Sequence, residues 1–407
     1  MPSLPILQSL RHRPFAFLWF GQTISRLGDS IYRVALAWWV LEKTGSAAAM
    51  GTVLVFTTVP LLIFVLLGGV MVDRVDRVRL MLASDLVRGV AVGLAAVLGL
   101  TGHLELWHVY VLSILFGLVD AFFQPAYVAL VPQVTPAELR PSANSLTSLS
   151  GQVTGILGPA LAAAVVALGS TSLAFVLDTV SFVLSAACLV PLVGMVFSRG
   201  PVTKASGNVW KELREGLAVV VHSPWLWVTI AIASLANITL SGPMGVALPF
   251  LVKEFLHSDV GVLGLLTSMN SVGYVVGAVA LGNLPRLRWR GLLAYGSWVV
   301  ASLMLVLMGI VPSVPVAAAA MLLMGASFSV FGLIWTHTLQ ELVPTEMLGR
   351  VASLDYLGSY LFLPVGYAIS GWVTDQTGPA AVFLFGGIIT AVLSGLGLLH
   401  PAIRKLD

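Results

Sequence analysis

The stretch GGVMVDRVDRVR, residues 68–79, closes one long apolar run (residues 47–72) and opens the next. It places five charged residues within the seven positions 73–79. The hydrocarbon core of a bilayer does not accommodate that density of charge, so the stretch predicts a loop between two membrane helices. Its three arginines indicate that the loop is cytoplasmic, because Lys and Arg accumulate on that side of membrane proteins.

The composition agrees with a membrane protein. Charged residues make up 10% of the 407 residues, against about 25% in soluble domains. The 40 glycines and 21 prolines suit membrane helices, because neighbouring helices satisfy the backbone groups that these residues leave free. Cys188 is the one cysteine and lies in an apolar segment, so we expect no disulfide framework, metal cluster or thiol pair. The net charge of +3 reflects membrane topology and gives no indication of nucleic-acid binding.

Apolar runs recur along the chain, and each is long enough for the roughly 20 residues that a membrane helix needs. We place twelve of them at residues 15–41, 46–72, 79–101, 104–131, 142–168, 171–194, 224–252, 259–284, 290–311, 314–340, 347–373 and 379–400. The segment before the first run has no small-residue cleavage site, so we expect it to be retained.

The positive charges predict the orientation. With the amino terminus inside, only Lys43 and Lys253 fall in outer loops, and Arg26 and Arg33 lie within the first span. Every other Lys and Arg, Arg88 included, is assigned to the inner side. This asymmetry predicts a multi-pass protein of a bacterial-type inner membrane with both termini in the cytoplasm.

The longest polar segment, residues 195–223, falls near the middle of the chain. Its second part has apolar residues at helical spacing, from Trp210 to Val220, with charged residues opposite. We interpret it as a cytoplasmic linker with an amphipathic helix, joining a six-helix bundle at residues 1–194 to another at 224–407. A plain linker without a helix is the alternative.

The two halves look like repeats of each other. Pro136 and Glu138, in the loop after the fourth span, correspond to Pro344 and Glu346 in the loop after the tenth. The second copy of the opening stretch, residues 282–288, keeps the glycine and the arginines but has no aspartate.

The pattern Gly69-x-x-x-Asp73-Arg74-x-x-Arg77 resembles the signature between the second and third helices of major facilitator superfamily transporters. Asp76 stands where that family usually has glycine. The resemblance implies that the glycine lets helices touch and that the charged residues lock the cytoplasmic end of the amino-terminal half. It also implies an all-α fold of twelve membrane helices in two six-helix pseudo-repeats, with the substrate site at their interface.

Residues 15–29, 121–126, 136–139 and 158–159 resemble the macrolide-efflux and siderophore-exporter branch of the superfamily. The resemblance implies proton-coupled export.

Residues 155–163 resemble the antiporter signature of the fifth helix, with Ala162 and Ala163 in place of its last two glycines. The resemblance implies a bias toward export. Close helix contact with no bearing on direction is the alternative.

Charged residues inside the predicted spans are the candidates for proton coupling. A charge at mid-membrane costs at least ~2.5 kcal/mol, so such residues indicate a function or mutual pairing. Two polar stripes at helical spacing are expected to face each other across the cavity that the resemblance implies. The stripe on the first span is Gln22, Arg26, Asp29 and Arg33, and the stripe on the fourth is Ser113, Gly117, Asp120 and Gln124.

Two interpretations stay open for each acid. Asp29 either forms a structural ion pair with Arg26 and Arg33 on its own helix or serves as a proton or substrate site. Asp120 has no basic residue on its own helix, and it is a candidate protonatable site unless Arg26 or Arg33 reaches across.

Two further acids are expected to be structural. Asp178 is assigned to a helix-end contact. Asp355, close to Arg350 in sequence, is assigned to the inner gate with it.

A candidate substrate cavity lies in the second half. Asn237 and Ser241 share a face of the seventh span, and Phe331 and Trp335 lie on the tenth. Polar groups beside aromatic rings suit a bulky amphipathic ligand. Plain packing of aromatic residues at helical spacing is the alternative.

The sequence therefore predicts a secondary transporter that exports a hydrophobic or amphipathic small molecule in exchange for protons by alternating access. No nucleotide-binding loop, metal-ligand spacing or nucleophile–base pair stands out, so we expect no enzyme activity, no ATP hydrolysis and no cofactor beyond the proton gradient. The expected partners are the substrate, protons and the lipid bilayer, with no nucleic acid, and we expect a monomer. The alternatives are a nutrient or lipid uniporter or importer, and a membrane sensor of the same fold that transports nothing.

Overall fold

The computed structural model describes residues 5–72, 74–195, 209–282, 289–344, 346–404 and 406. It is helical throughout, and no β-strand occurs in these ranges. The helices are α1 (Arg13–Thr44), α2 (Ala47–Val72), α3 (Arg77–Leu100), α4 (Leu106–Leu130), α5 (Arg140–Leu168), α6 (Thr171–Leu189), α7 (Val209–His222), α8 (Pro224–Gly242), α9 (Leu248–Phe250), α10 (Val260–Gly282), α11 (Arg290–Ile310), α12 (Val314–Leu342), α13 (Leu348–Tyr360), α14 (Leu363–Thr377), α15 (Pro379–Leu399) and α16 (Pro401–Arg404).

Within the described ranges, ten helical segments are long and apolar enough to cross a membrane. Two predicted spans differ from the rest. The first, α1, is 32 residues long but carries Arg26, Asp29 and Arg33. The eleventh is divided into α13 and α14 by a turn at Leu361. Pro364 opens α14, and because proline has no backbone N–H and clashes with the preceding turn, it accounts for the break.

The seventh predicted span is one helical segment from Pro224 to Phe255 with two π turns, at Pro243–Ala247 and Leu251–Phe255. The first π turn begins at a proline, which removes a donor from the α-helical hydrogen-bond ladder. Single π turns inside α-helices are frequent at functional sites.

The described residues divide into two compact units: residues 5–45 and 53–195 form the first, and residues 46–52 and 209–406 form the second. In the first unit, α6 packs against α1 and α3, α1 packs against α5, and α3 packs against α4. In the second unit, α12 packs against α10 and α11, and α8 packs against α14 and α15.

Gly158 lies where α5 meets α1. A Cβ at this position would overlap the side chain of Ser30, so only glycine permits this separation of the two helices. Ala162, one turn further along α5, is fully buried. The antiporter-like stretch is thus a site of close helix packing, as its small residues predict.

The amphipathic segment of the predicted linker corresponds to α7, which packs against α13. Arg350 Nη1 lies 2.6 Å from Glu215 Oε2. Val220 is buried in an apolar cluster with Leu339 and Val351. Leu217 remains half exposed. The helix is therefore anchored to protein on one side.

The first turn of α2 belongs to the second unit, and Asp375, near the end of α14, caps it. The Asp375 carboxylate accepts hydrogen bonds from the backbone N–H groups of Ala47 (2.6 Å) and Ala48 (3.1 Å), and from Ser46 Oγ (2.7 Å). The first N–H groups of a helix have no partner within the helix. A carboxylate beside them accepts their hydrogen bonds and also interacts favourably with the positive end of the helix dipole.

Replacing Asp375 with Ala is expected to lower the free energy of unfolding by about 1 kcal/mol, the usual effect of losing an N-cap acceptor. Asp375→Asn should cost less, because the amide oxygen still accepts a hydrogen bond. Thermal unfolding of the purified protein measures the order, with Glu254→Ala, which removes an exposed acidic side chain, as control. Identical transitions for Asp375→Ala and the unaltered protein would contradict the capping role.

Candidate functional site

A buried ion cluster occupies the interior of the first unit, centred on Arg88 of α3. Its guanidinium lies 2.8 Å from Asp85 Oδ1 and 3.3 Å from Asp120 Oδ1. The rings of Phe123 and Phe182 lie against it, with centroids 4.2 Å and 4.7 Å from the guanidinium carbon. The flat guanidinium suits this setting, since it can stack on aromatic faces while its N–H groups reach two carboxylates.

The two carboxylates differ in their access to solvent. The Asp85 side chain is 0% exposed, whereas that of Asp120 is 32% exposed. Asp85 also accepts a 2.6 Å hydrogen bond from Ser185 Oγ, which in turn accepts one from Gln22 Nε2 at 3.1 Å. Asp85 is thus fixed by two partners, and Asp120 is the acid of the cluster that keeps an exposed surface.

Arg88 was not predicted to be the partner of Asp120. Asp120 was expected to pair with Arg26 or Arg33 if with any base, and Arg88 was assigned to the inner side of the membrane. In the structure Arg88 is buried in the middle of α3 and pairs with Asp120. The signal was present, because Asp85 and Arg88 are three residues apart within a predicted span, the spacing of an ion pair on one helix face.

Asp178 is also placed differently from the prediction. It lies in the interior of α6, fully buried, and not at a helix end. Oδ1 accepts a hydrogen bond from Ser181 Oγ at 3.1 Å, while Oδ2 has no hydrogen-bond partner among the described residues. Gly28 of α1 makes room for these two side chains, because a Cβ there would overlap both.

Asp29 does not form the ion pair with Arg26 and Arg33 that was one of its two interpretations. Neither Arg26 nor Arg33 lies within 4 Å of the Asp29 carboxylate in the part of the chain that the structure describes. Arg26 instead lies over the ring of Tyr127 on α4, 4.8 Å from its centroid, and Arg33 is exposed.

Of the two predicted glutamines, only Gln22 joins the cluster. It is buried and bonded to Ser185. Gln124 is exposed on α4.

The predicted cytoplasmic gate is described only in part. Asp73 and the surroundings of Gly69 lie outside the described residues. Arg74 is exposed in the turn after α2, and Arg77 is the first residue of α3. Asp76 Oδ1 accepts the Arg79 N–H at 2.9 Å and so caps α3, which gives a structural reason for an acid where the family pattern has glycine.

A cavity of about 610 Å³ lies within the second unit. Asn237, Ser241, Phe331 and Trp335, the four predicted cavity residues, all line it. Asn237 Nδ2 donates to the Ser359 carbonyl at 2.9 Å. That carbonyl lies in the last turn of α13, where carbonyl groups have no helical partner. The helix break thus contributes a polar wall to the cavity.

Asp355 lines this cavity and is placed apart from the predicted gate. Its Oδ2 accepts a hydrogen bond from Trp335 Nε1 at 2.9 Å, and its Oδ1 one from Ser359 Oγ at 3.5 Å. Arg350, one and a half turns earlier on α13, bonds Glu215 of α7. Residues five apart point in different directions on a helix, and this is why proximity in sequence predicted the wrong neighbour.

The sequence as a whole matches a known family. The sequence profile of the Major Facilitator Superfamily matches residues 18–362. The chain belongs to the major facilitator superfamily. The chain is therefore a multi-pass membrane protein of a transporter family, as its charged loop predicted.

Two relatives are similar to this protein over nearly the whole of its length. Macrolide efflux protein A of Streptococcus pyogenes is 24% identical over 395 residues, covering 97% of each chain. Multidrug efflux pump Tap of Mycolicibacterium fortuitum is 25% identical over 417 residues, covering 98% of this chain and 99% of its own. The predicted resemblance to the macrolide-efflux branch is thereby confirmed.

Solved structures support the fold. The nucleoside transporter NupG superposes with a TM-score of 0.72 at 13% identity, covering 96% of this chain and 99% of its own. A bacterial homologue of the iron transporter ferroportin, in an inward-facing state, gives a TM-score of 0.72 at 17% identity, covering 95% and 99%. At these identities the likeness concerns the major facilitator fold alone.

Proposed function

We propose that this protein is a twelve-span secondary transporter of a bacterial-type inner membrane, which exports a hydrophobic or amphipathic small molecule in exchange for protons. Two full-length relatives are named for the efflux of macrolides or of several drugs. The two six-helix pseudo-repeats and alternating access are part of the same proposal.

The observation that supports proton coupling is the cluster of Arg88 with two carboxylates. With both acids ionised, one cation and two anions give a net charge of −1. A proton on either acid brings the cluster to zero. Because Asp120 is partly exposed and Asp85 is not, the proton enters and leaves at Asp120.

This difference in charge can drive a conformational cycle. A ligand or proton shifts a conformational equilibrium only through different interaction with the two conformations. Protonation removes the attraction between Asp120 and Arg88, so a conformation that separates them becomes accessible to the protonated carrier. One proton moved down 100 mV supplies ~2.3 kcal/mol, about a fifty-fold substrate gradient, which suffices without ATP.

The size and lining of the cavity in the second unit support the proposed class of ligand. Its volume of about 610 Å³ lies within the range of about 300–1,000 Å³ that small-molecule sites occupy. Aromatic rings on α11 and α12 offer apolar contact, and Asn237, Ser241 and Asp355 offer polar contact. This mixture suits an amphipathic molecule of drug size.

An efflux screen in a host that lacks its own drug pumps tests the proposal. Expression should lower the accumulation of at least one hydrophobic or amphipathic compound, and an uncoupler should restore accumulation. Export that persists after the proton gradient collapses would favour a uniporter. Raised accumulation would indicate an importer, and no change for any compound would favour a sensor.

The topology is a separate expectation. In a Cys188→Ser background, Ala137→Cys should be protected from an impermeant thiol reagent added to intact cells, and Thr101→Cys should react. Both positions are exposed, so accessibility of the side chain does not differ between them. The reason is the excess of Lys and Arg in the loops on the side of residue 137. Labelling of Ala137→Cys from outside would overturn the proposed orientation.

A further inference from the structure

Three aromatic rings form a stack along the cavity of the second unit. Trp298 and Phe331 are parallel within 14°, with centroids 3.9 Å apart. Phe331 and Trp335 are parallel within 11°, with centroids 6.3 Å apart. All three rings line the cavity. The face of such a ring is the negative end of its quadrupole, so the stack attracts cations as well as apolar groups.

Asp355 stands at the Trp335 end of this stack. The Trp335 indole N–H donates to Oδ2, which fixes the orientation of the carboxylate against the ring. An ionised carboxylate offers about four acceptor positions. Trp335 and Ser359 occupy two of them, and the half-buried side chain faces the cavity, so acceptor positions remain for a donor from a ligand.

The cavity has no positive charge of its own. Among the described residues that line it, Asp355 is the one charged side chain, and none is Lys, Arg or His. No Lys or Arg lies within 4 Å of its carboxylate in the described part of the chain either. Charged groups in protected sites are normally paired. A bound cation is the partner that this site lacks.

We propose that the cavity binds lipophilic organic cations: the cationic centre lies between Asp355 and the face of Trp335, and the apolar body lies along Phe331 and Trp298. The site is a binding site whether or not the protein is an exporter. That its ligand is the exported molecule rests on the function proposed above.

Binding of two nearly isosteric ions of opposite charge, tetraphenylphosphonium and tetraphenylborate, tests this assignment. Equilibrium binding is measured on the purified full chain in lipid nanodiscs, with empty nanodiscs subtracting the partition into lipid. The cation should bind at least about tenfold more tightly than the anion, as expected for a desolvated cation–π contact beside a carboxylate. Equal affinities, or a preference for the anion, would overturn the proposal.

Two variants of one position locate the charge. Asp355→Asn keeps the shape and an acceptor for Trp335 Nε1 but removes the charge, so the preference for the cation should fall to within about threefold. Asp355→Glu keeps the charge and should keep the preference. Asp259→Asn, the same change at an exposed position, is the matched control and should leave the preference unaltered. An unaltered preference in Asp355→Asn would also overturn the assignment.

The aromatic contribution is measured separately. Phe331→Leu should weaken the binding of both ions by a similar factor, because it removes stacking area from the apolar body and leaves the carboxylate in place. If Asp355→Asn does not fold, this variant and the charge pair still decide the proposal. A Phe331→Leu variant that binds both ions as tightly as the unaltered protein would remove the ligand from this cavity.

The result of these binding experiments does not depend on whether the protein transports its ligand. Binding in nanodiscs needs no gradient, so a preserved cation preference beside failed proton-driven export would remove the proposed function and leave this site. Proton-driven export of a neutral compound without any charge preference would do the reverse.

Discussion

Replacing Asp120 with Asn should abolish export against a substrate gradient while ligand binding and downhill exchange persist. Asparagine keeps the size and hydrogen-bonding capacity of the acid but cannot change its charge. The proton gradient would then have no group in the cluster through which to act, because Asp85 is sealed from solvent by Ser185 and Arg88. Export from energised cells and binding to the purified protein measure the two properties.

Asp259→Asn is the matched control for this prediction, since it makes the same chemical change at an exposed loop position that caps α10 with an oxygen that asparagine retains. It should export at the rate of the unaltered protein. If Asp120→Asn exports uphill as well as this control does, the proton site lies elsewhere, and Asp29 becomes the next candidate.

Replacing Arg88 with Met is expected to have the largest effect on stability. It leaves Asp85 as a buried anion without its cation, and removing one partner of a buried pair costs roughly 3–5 kcal/mol. The loss should appear as low expression and a lowered unfolding temperature in the purified protein. Asp120 is partly exposed and therefore less desolvated than Asp85, so its share of the loss is smaller.

A double-mutant cycle separates charge pairing from packing. Asp85→Asn together with Arg88→Met removes both buried charges, so the double variant should recover most of the stability that Arg88→Met alone loses. A double variant that is as unstable as the sum of the two single variants would show that the cluster contributes packing and not charge compensation. The Met side chain keeps contact with Phe123 and Phe182, which makes the test specific to charge.

Much of the fold could be predicted because a bilayer leaves few alternatives. Backbone groups in lipid must be paired within a helix or barrel, so apolar runs near 20 residues predict helices, and the charged stretch at 68–79 predicts where one ends. The break between α13 and α14 was missed. A single proline in an apolar run predicts a kink or a complete break equally well, and neighbouring helices decide between them.

The candidate site was predicted less well than the fold. Gln22 and Asp120 were found because helical spacing places each of them on the polar stripe of its own helix, and the structure joins them in one network through Ser185, Asp85 and Arg88. Their connection through Arg88 depends on which helix α3 packs against, and sequence spacing on single helices contains no such information. Asp355 illustrates the same limit, since its contact with Trp335 joins two helices.

The most direct test of proton exchange is proton movement driven by the substrate gradient alone. The purified protein is placed in liposomes that contain a pH-sensitive dye and a substrate found in the efflux screen, with no pH gradient at the start. As the substrate leaves down its gradient, we expect protons to enter and acidify the lumen, and we expect Asp120→Asn to release the substrate without acidification. Substrate release by the unaltered protein at constant internal pH would contradict proton exchange.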